Sequence, residues 1–97
     1  MMNDYRLSRR AEADLDDIFF SGIELFGLPQ ALKYRDSLKR CFALLAQNPR
    51  MGRRSPTIRA GLRRHEHGSH VILYKDQKHG VLIVAIVHGR NVRRLKH

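Results

Sequence analysis

"VLIVAIVH", residues 81–88, is apolar at every position from Val81 to Val87. In an extended chain Val81, Ile83, Ala85 and Val87 point one way, and Leu82, Val84 and Ile86 the other. A strand apolar on both sides belongs in the middle of a sheet covered on both faces. "HVILYK", residues 70–75, repeats the pattern, with Val71 and Leu73 opposed to Ile72 and Tyr74. Together with "LRRHEH" at 62–67 these runs spell a three-stranded antiparallel meander, turning at Gly68–Ser69 and again at "DQKHG". Gly68 at the first central position suits a two-residue type II′ turn. That turn sets His67 opposite His70 and His65 opposite Ile72, with three imidazoles on one face.

Working outward, "DYRLS" alternates Tyr5 and Leu7 with Asp4 and Arg6, the mark of a short half-buried strand. Ser8 can cap the helix that follows by accepting from a free N–H of its first turn. Ala11, Leu15, Ile18, Gly22 and Leu25 form the apolar stripe of that helix, widened by Phe19, Ile23 and Phe26. Its polar side carries Glu12, Asp14, Asp16, Asp17 and Glu24, several of them near the positive end of the helix dipole, where carboxylates stabilise the helix. Gly27 ends this helix and Pro29 opens the next. Ala31, Tyr34, Leu38, Cys41, Phe42 and Leu45 continue at helical spacing until Pro49, so the pair packs as an antiparallel hairpin. Cys41 falls on the apolar stripe and reads as packing, not as a nucleophile. Residues 47–60, "QNPRMGRRSPTIRA", read as a loop without repeating structure. The expected fold is α+β in the order β-α-α-β-β-β, a helical hairpin on a mainly antiparallel four-stranded sheet.

Two helices cover one face of such a sheet. The tail "GRNVRRLKH" from Gly89 to His97 reads as too polar to shield the other face, which predicts an exposed apolar patch rimmed by arginines, a partner surface. The fitting partner is apolar at its centre and acidic around it.

With 97 residues the chain is sized for one domain, residues 1–97, and 42% hydrophobic with 29% charged residues is a globular composition. One cysteine leaves no internal disulfide and no thiolate cluster, and no N-terminal stretch has the apolar core of a secretory signal, so a reducing cytoplasm is the expected setting. The longest apolar run falls far short of the roughly 20 residues that span a bilayer. The net charge of +10 is unevenly placed: residues 1–37 hold five basic and seven acidic groups, residues 38–97 fourteen and two. Such a field attracts polyanions, either nucleic acid or an acidic protein. The three hairpin histidines lack a fourth ligand and an identifiable outer shell of acceptors, so neither a metal nor a cofactor is expected.

The ordered set "YRLSRRAEADLDDI" (5–18), "ALLAQNPRMGR" (43–53), "GLRRHEHGSHVILYK" (61–75) and "VHGRN" (87–91) resembles the ParE branch of the RelE/ParE toxin superfamily. The resemblance implies the toxin of a type II toxin–antitoxin pair, neutralised by an acidic ParD-like antitoxin. The C-terminal segment of that antitoxin wraps the toxin and its N-terminal part binds DNA, giving a hetero-oligomer with an indirect link to DNA. It implies DNA gyrase as the target. The RelE branch of the same superfamily implies an alternative, a ribosome-dependent mRNA endonuclease, for which Arg64 would hold the phosphate, His88 act as general acid and Glu66 as base. No tyrosine or lysine stands near His88, and ordinary pairing of Glu66 with Arg64 or Lys75 explains that carboxylate. The second alternative is a basic nucleic-acid-binding protein without toxicity. Contacts with antitoxin or target are expected at Arg63, Arg64, Ile72 and Tyr74 of the meander and at Arg90, Arg93 and Arg94 of the tail. Of Arg63 and Arg64, which alternate across the pleat, one should reach a carbonyl or carboxylate and the other remain free.

Overall fold

The computed structural model describes residues 4–95. Lys96 and His97 of the tail therefore lie outside the described residues. The chain runs β1 (Asp4–Leu7), α1 (Arg9–Phe26), α2 (Leu28–Gln47), β2 (Arg53–Arg54), β3 (Leu62–His67), β4 (His70–Gln77), β5 (Gly80–His88) and a closing 3₁₀ helix (Gly89–Leu95). The sheet has five strands, ordered β1-β5-β4-β3-β2, and is mixed, because β1 runs parallel to β5 while the other pairs are antiparallel. The fifth strand is a correction to the expected four: Arg53 and Arg54, read as loop, pair with Arg64 and Arg63.

The local signals do what their chemistry dictates. The Ser8 hydroxyl accepts the Ala11 N–H at 3.0 Å and donates to the Val84 carbonyl at 2.7 Å, so one side chain both caps α1 and ties it to β5. Gly68 turns β3 into β4 with φ of 56°, and His67 faces His70 and His65 faces Ile72, as the turn requires. A Cβ at Gly80 would lie 1.7 Å from the Asp4 carbonyl oxygen, so β1 can approach β5 only because residue 80 has no side chain.

Between helices and sheet lies a core of Leu15, Leu38, Phe42, Leu45, Ile72, Tyr74, Val81, Ile83 and Ile86. Each fully buried aliphatic or aromatic side chain here contributes about 1.5–3 kcal/mol. The membership shows where strict alternation fails. Tyr74 pairs with Ile83 and Leu73 with Ala85, which leaves Val84 as the extra residue of a β-bulge. The bulge reverses the pleat, so Val81, Ile83 and Ile86 face the helices while Ala85 and Val87 face away.

The far side of the sheet overturns the expected exposed patch. Val71, Leu73, Ala85 and Val87 form a second core with Leu62, Ile58 and Val92. Ile58 comes from the arginine loop and Val92 from the tail, two isolated apolar residues in polar segments, and together they seal this face. The 3₁₀ helix is held in place by the Gly89 N–H, which donates to the Ser69 carbonyl at 2.8 Å. Most of the exposed large apolar side chains, Phe20, Leu25, Phe26 and Leu28, lie instead toward the tip of the helical hairpin, with Leu44 and Met51 exposed at its other end. Of the α1 stripe, Ala11 and Leu15 are buried, but Leu25 and Phe26 are 73% and 71% exposed, and Phe20, outside the stripe, is 60% exposed.

Candidate partner-binding site

The histidine hairpin docks on α2 through hydrogen bonds. Ser37 Oγ donates to the Tyr34 carbonyl at 2.7 Å, so at 2.9 Å it must accept from His67 Nε2. Tyr34 Oη donates to the His67 carbonyl at 3.1 Å, and with its one proton used it accepts from His70 Nδ1 at 2.7 Å. His70 stacks edge-on to His88, with ring centroids 5.6 Å apart. Burial, with the nearby His65 and Arg40 charges, holds His67 below the usual histidine range. Burial, with His88 and His67, does the same for His70. Both rings are thus neutral structural groups near pH 7. Among the described residues no three His, Cys, Asp or Glu side chains are grouped to hold a metal ion.

The residues required for the nuclease alternative are not brought together. His88 pairs with His70 and stands on the helix-facing side, whereas Arg64 and Glu66 pair with Leu73 and Val71 on the far side. The bulge at Val84 is the cause, since it turns the final residues of β5 over. Glu66 is occupied by Arg53 at 2.7 Å and Arg64 at 3.3 Å, while Lys75, its other expected partner, pairs with Leu62 and Leu82. His88 Nδ1 accepts the Arg90 backbone N–H at 3.2 Å.

The expected contact residues divide in three. Ile72 and Tyr74 are 0% exposed beneath the helices, which removes them from any surface; the helical layer packed on that face of β4 explains the correction. Arg63 reaches the Gly52 carbonyl at 2.7 Å, fulfilling one half of the expectation for the arginine pair. Arg64 takes the pairing with Glu66 that the sequence also offered, its side chain only 20% exposed, so neither arginine of the pair is the free one. Arg90, Arg93 and Arg94 are exposed on the 3₁₀ helix, with buried Val92 as their anchor.

Leu25 and Phe26, core-facing by their helical spacing, instead border a groove between the hairpin and the β3–β4 turn. This groove, of about 480 Å³, is walled by Phe19, Gly22, Phe26 and Tyr34, with His70 and His88 at its sheet end. The Arg35 guanidinium sits 4.4 Å from the Phe19 ring centroid, and its buried Nε has no hydrogen-bond partner among the described residues. A signal was present in the sequence: apolar residues at 18–20, 22–23 and 25–26 exceed what one helical face can bury.

Among the described residues the fold is thus a small α+β scaffold with a self-sealed sheet, an apolar groove at its hairpin tip and a basic opposite edge, features suited to macromolecular partners. The family model described as "ParE toxin of type II toxin-antitoxin system, parDE" matches residues 5–93, and the chain belongs to this ParE toxin family. It is 45% identical over 74 residues to Toxin ParE1 of Caulobacter vibrioides, covering 76% of this chain and 77% of that one. Toxin ParE1 of Mycobacterium tuberculosis is 34% identical over 91 residues, 93% of each chain. Among solved structures, a chain of the chromosomal ParDE TA system from P. aeruginosa superposes with a TM-score of 0.75 at 25% identity, over 90% of this chain and 96% of that one.

Proposed function

We propose that this ParE toxin acts on DNA gyrase and is neutralised by an acidic, ParD-like antitoxin seated in the hairpin groove. The observation that carries the choice of target is the separation of His88 from Arg64 and Glu66 across the sheet. An acid and a phosphate-binding cation on opposite faces cannot act on one phosphodiester. This counts against mRNA cleavage and leaves the family's other activity. The antitoxin reading draws on the exposed Phe20, Leu25 and Phe26 beside a groove that also holds Arg35, since a helix apolar on one face and acidic at its rim complements both. Bound to such an antitoxin the toxin would form a hetero-oligomer and reach DNA indirectly.

Purified chain should abolish supercoiling by gyrase and accumulate linear plasmid, while mRNA on programmed ribosomes stays intact. Full supercoiling activity together with ribosome-dependent mRNA cutting would reverse the assignment.

A further inference from the structure

The short strand β2 is an outer strand of the sheet, and its pairing with β3 places like charges directly opposite each other: Arg53 faces Arg64 and Arg54 faces Arg63. Such pairs oppose strand pairing unless an anion lies between them. The segment 38–97 holds only two acidic residues, Glu66 and Asp76. Glu66 bridges Arg53 and Arg64 on the far side of the sheet. On the other side Arg54 and Arg63 line a groove of about 490 Å³ with Arg50, Gly61 and Leu62, and Asp76 is its one carboxylate. Three guanidinium groups therefore share a single negative charge. Arg63 is fixed by the Gly52 carbonyl, whereas Arg50 and Arg54 are exposed.

We infer that this arginine-lined groove at the β2 edge binds the phosphodiester backbone of duplex DNA without reading its bases. Guanidinium forks match phosphate oxygens in pairs. Among the described residues no aromatic side chain lines the groove to stack on unpaired bases, and Asp76 is its one carboxylate acceptor for 2′-hydroxyls, so neither single strands nor RNA are favoured. The four first-half acids of α1, Glu12, Asp14, Asp16 and Asp17, sit on the helix that packs on β5 and β1, at the opposite end of the strand order, so the molecule presents its basic edge to a polyanion. The inference stands apart from the gyrase and antitoxin readings.

Fluorescence anisotropy with a labelled duplex, titrated over salt, tests it. Arg50→Gln with Arg54→Gln should weaken binding at least tenfold at about 0.1 M salt and lower the log–log salt slope by about 1.8, two phosphate contacts at roughly 0.9 each. Both side chains are exposed, so circular dichroism should show an unchanged fold. Arg90→Gln with Arg93→Gln, an equal loss of charge elsewhere, should weaken binding less than threefold. Asp76→Asn, which removes the opposing charge, should tighten it severalfold. Equal losses from the two double variants would reduce the effect to diffuse charge and overturn the site. So would a more than tenfold preference among duplex sequences, or competition by polyglutamate as effective as by DNA, which would make the groove a seat for an acidic protein.

Discussion

The hydroxyl of Tyr34 lies 2.7 Å from Nδ1 of His70 and joins helix α2 to the turn between β3 and β4. The same oxygen donates to the His67 carbonyl, so one side chain secures both arms of the hairpin that ends the groove. Protonating His70 would not break the contact, because Nδ1 is already the donor, but it would put a charge beside His88 and His67 in a partly buried setting.

Stability should therefore fall on mild acidification. Both His67 and His70 have folded values below the ordinary 6.5, so the folded state binds fewer protons than the unfolded chain. Their contribution is complete above the unfolded value and is lost as pH falls through the folded ones. The urea midpoint should be lower at pH 5.5 than at pH 7.5, and His70→Gln should shrink the difference. An identical midpoint at both values in the parent chain would refute this.

Tyr74 performs a second hydroxyl-dependent task. Fully buried, it donates to the Pro49 carbonyl at 2.7 Å and accepts the Gly52 N–H at 2.8 Å, which fixes the entry into the arginine loop. Tyr74→Phe should cost about 1–3 kcal/mol in urea denaturation, the penalty for leaving buried backbone groups unpaired. Gly52→Ala should also destabilise, since its Cβ would lie 2.5 Å from that hydroxyl and 2.7 Å from the Arg64 carbonyl.

The helix boundaries, the Ser8 cap and the β3–β4 register were legible because each rests on a local cue: a hydroxyl before an apolar stripe, a glycine before a proline, a glycine in a tight turn. The bulge was not. In a run where residues 81–87 are all apolar, no polar residue marks which one is skipped, and only the demands of the two cores choose Val84. The pairing of Arg53 and Arg54 was hidden for a different reason, because charges facing charges carry no strand signal of their own. Ile58 and Val92 were invisible as core residues because each is a single apolar side chain in a polar segment, and only the tertiary path brings both onto one face. This is also why the free apolar surface was expected on the sheet and lies on the hairpin.

Self-sealing of the far face can be checked by removing a seal. Ile58→Ser or Val92→Ser should cost about 2 kcal/mol and raise binding of an apolar-surface dye, as Val71, Leu73 and Val87 become wet. Unchanged stability and dye binding would show that the second core is open in solution.

His88→Ala removes the acceptor of the Arg90 N–H but no catalytic group under the gyrase reading. Overproduced His88→Ala should still arrest growth, measured as colony formation after induction. Loss of arrest, accompanied by disappearance of mRNA fragments seen with the parent chain, would restore the nuclease.

The seat of the antitoxin is tested most directly by Leu25→Asp combined with Phe26→Asp. Both side chains are more than two-thirds exposed, so the fold should survive. Growth of cells producing this variant is measured with and without the acidic protein proposed as its antitoxin. The variant should stop growth in both cases, whereas the parent chain is rescued; full rescue of the variant would contradict a partner seated at the hairpin tip.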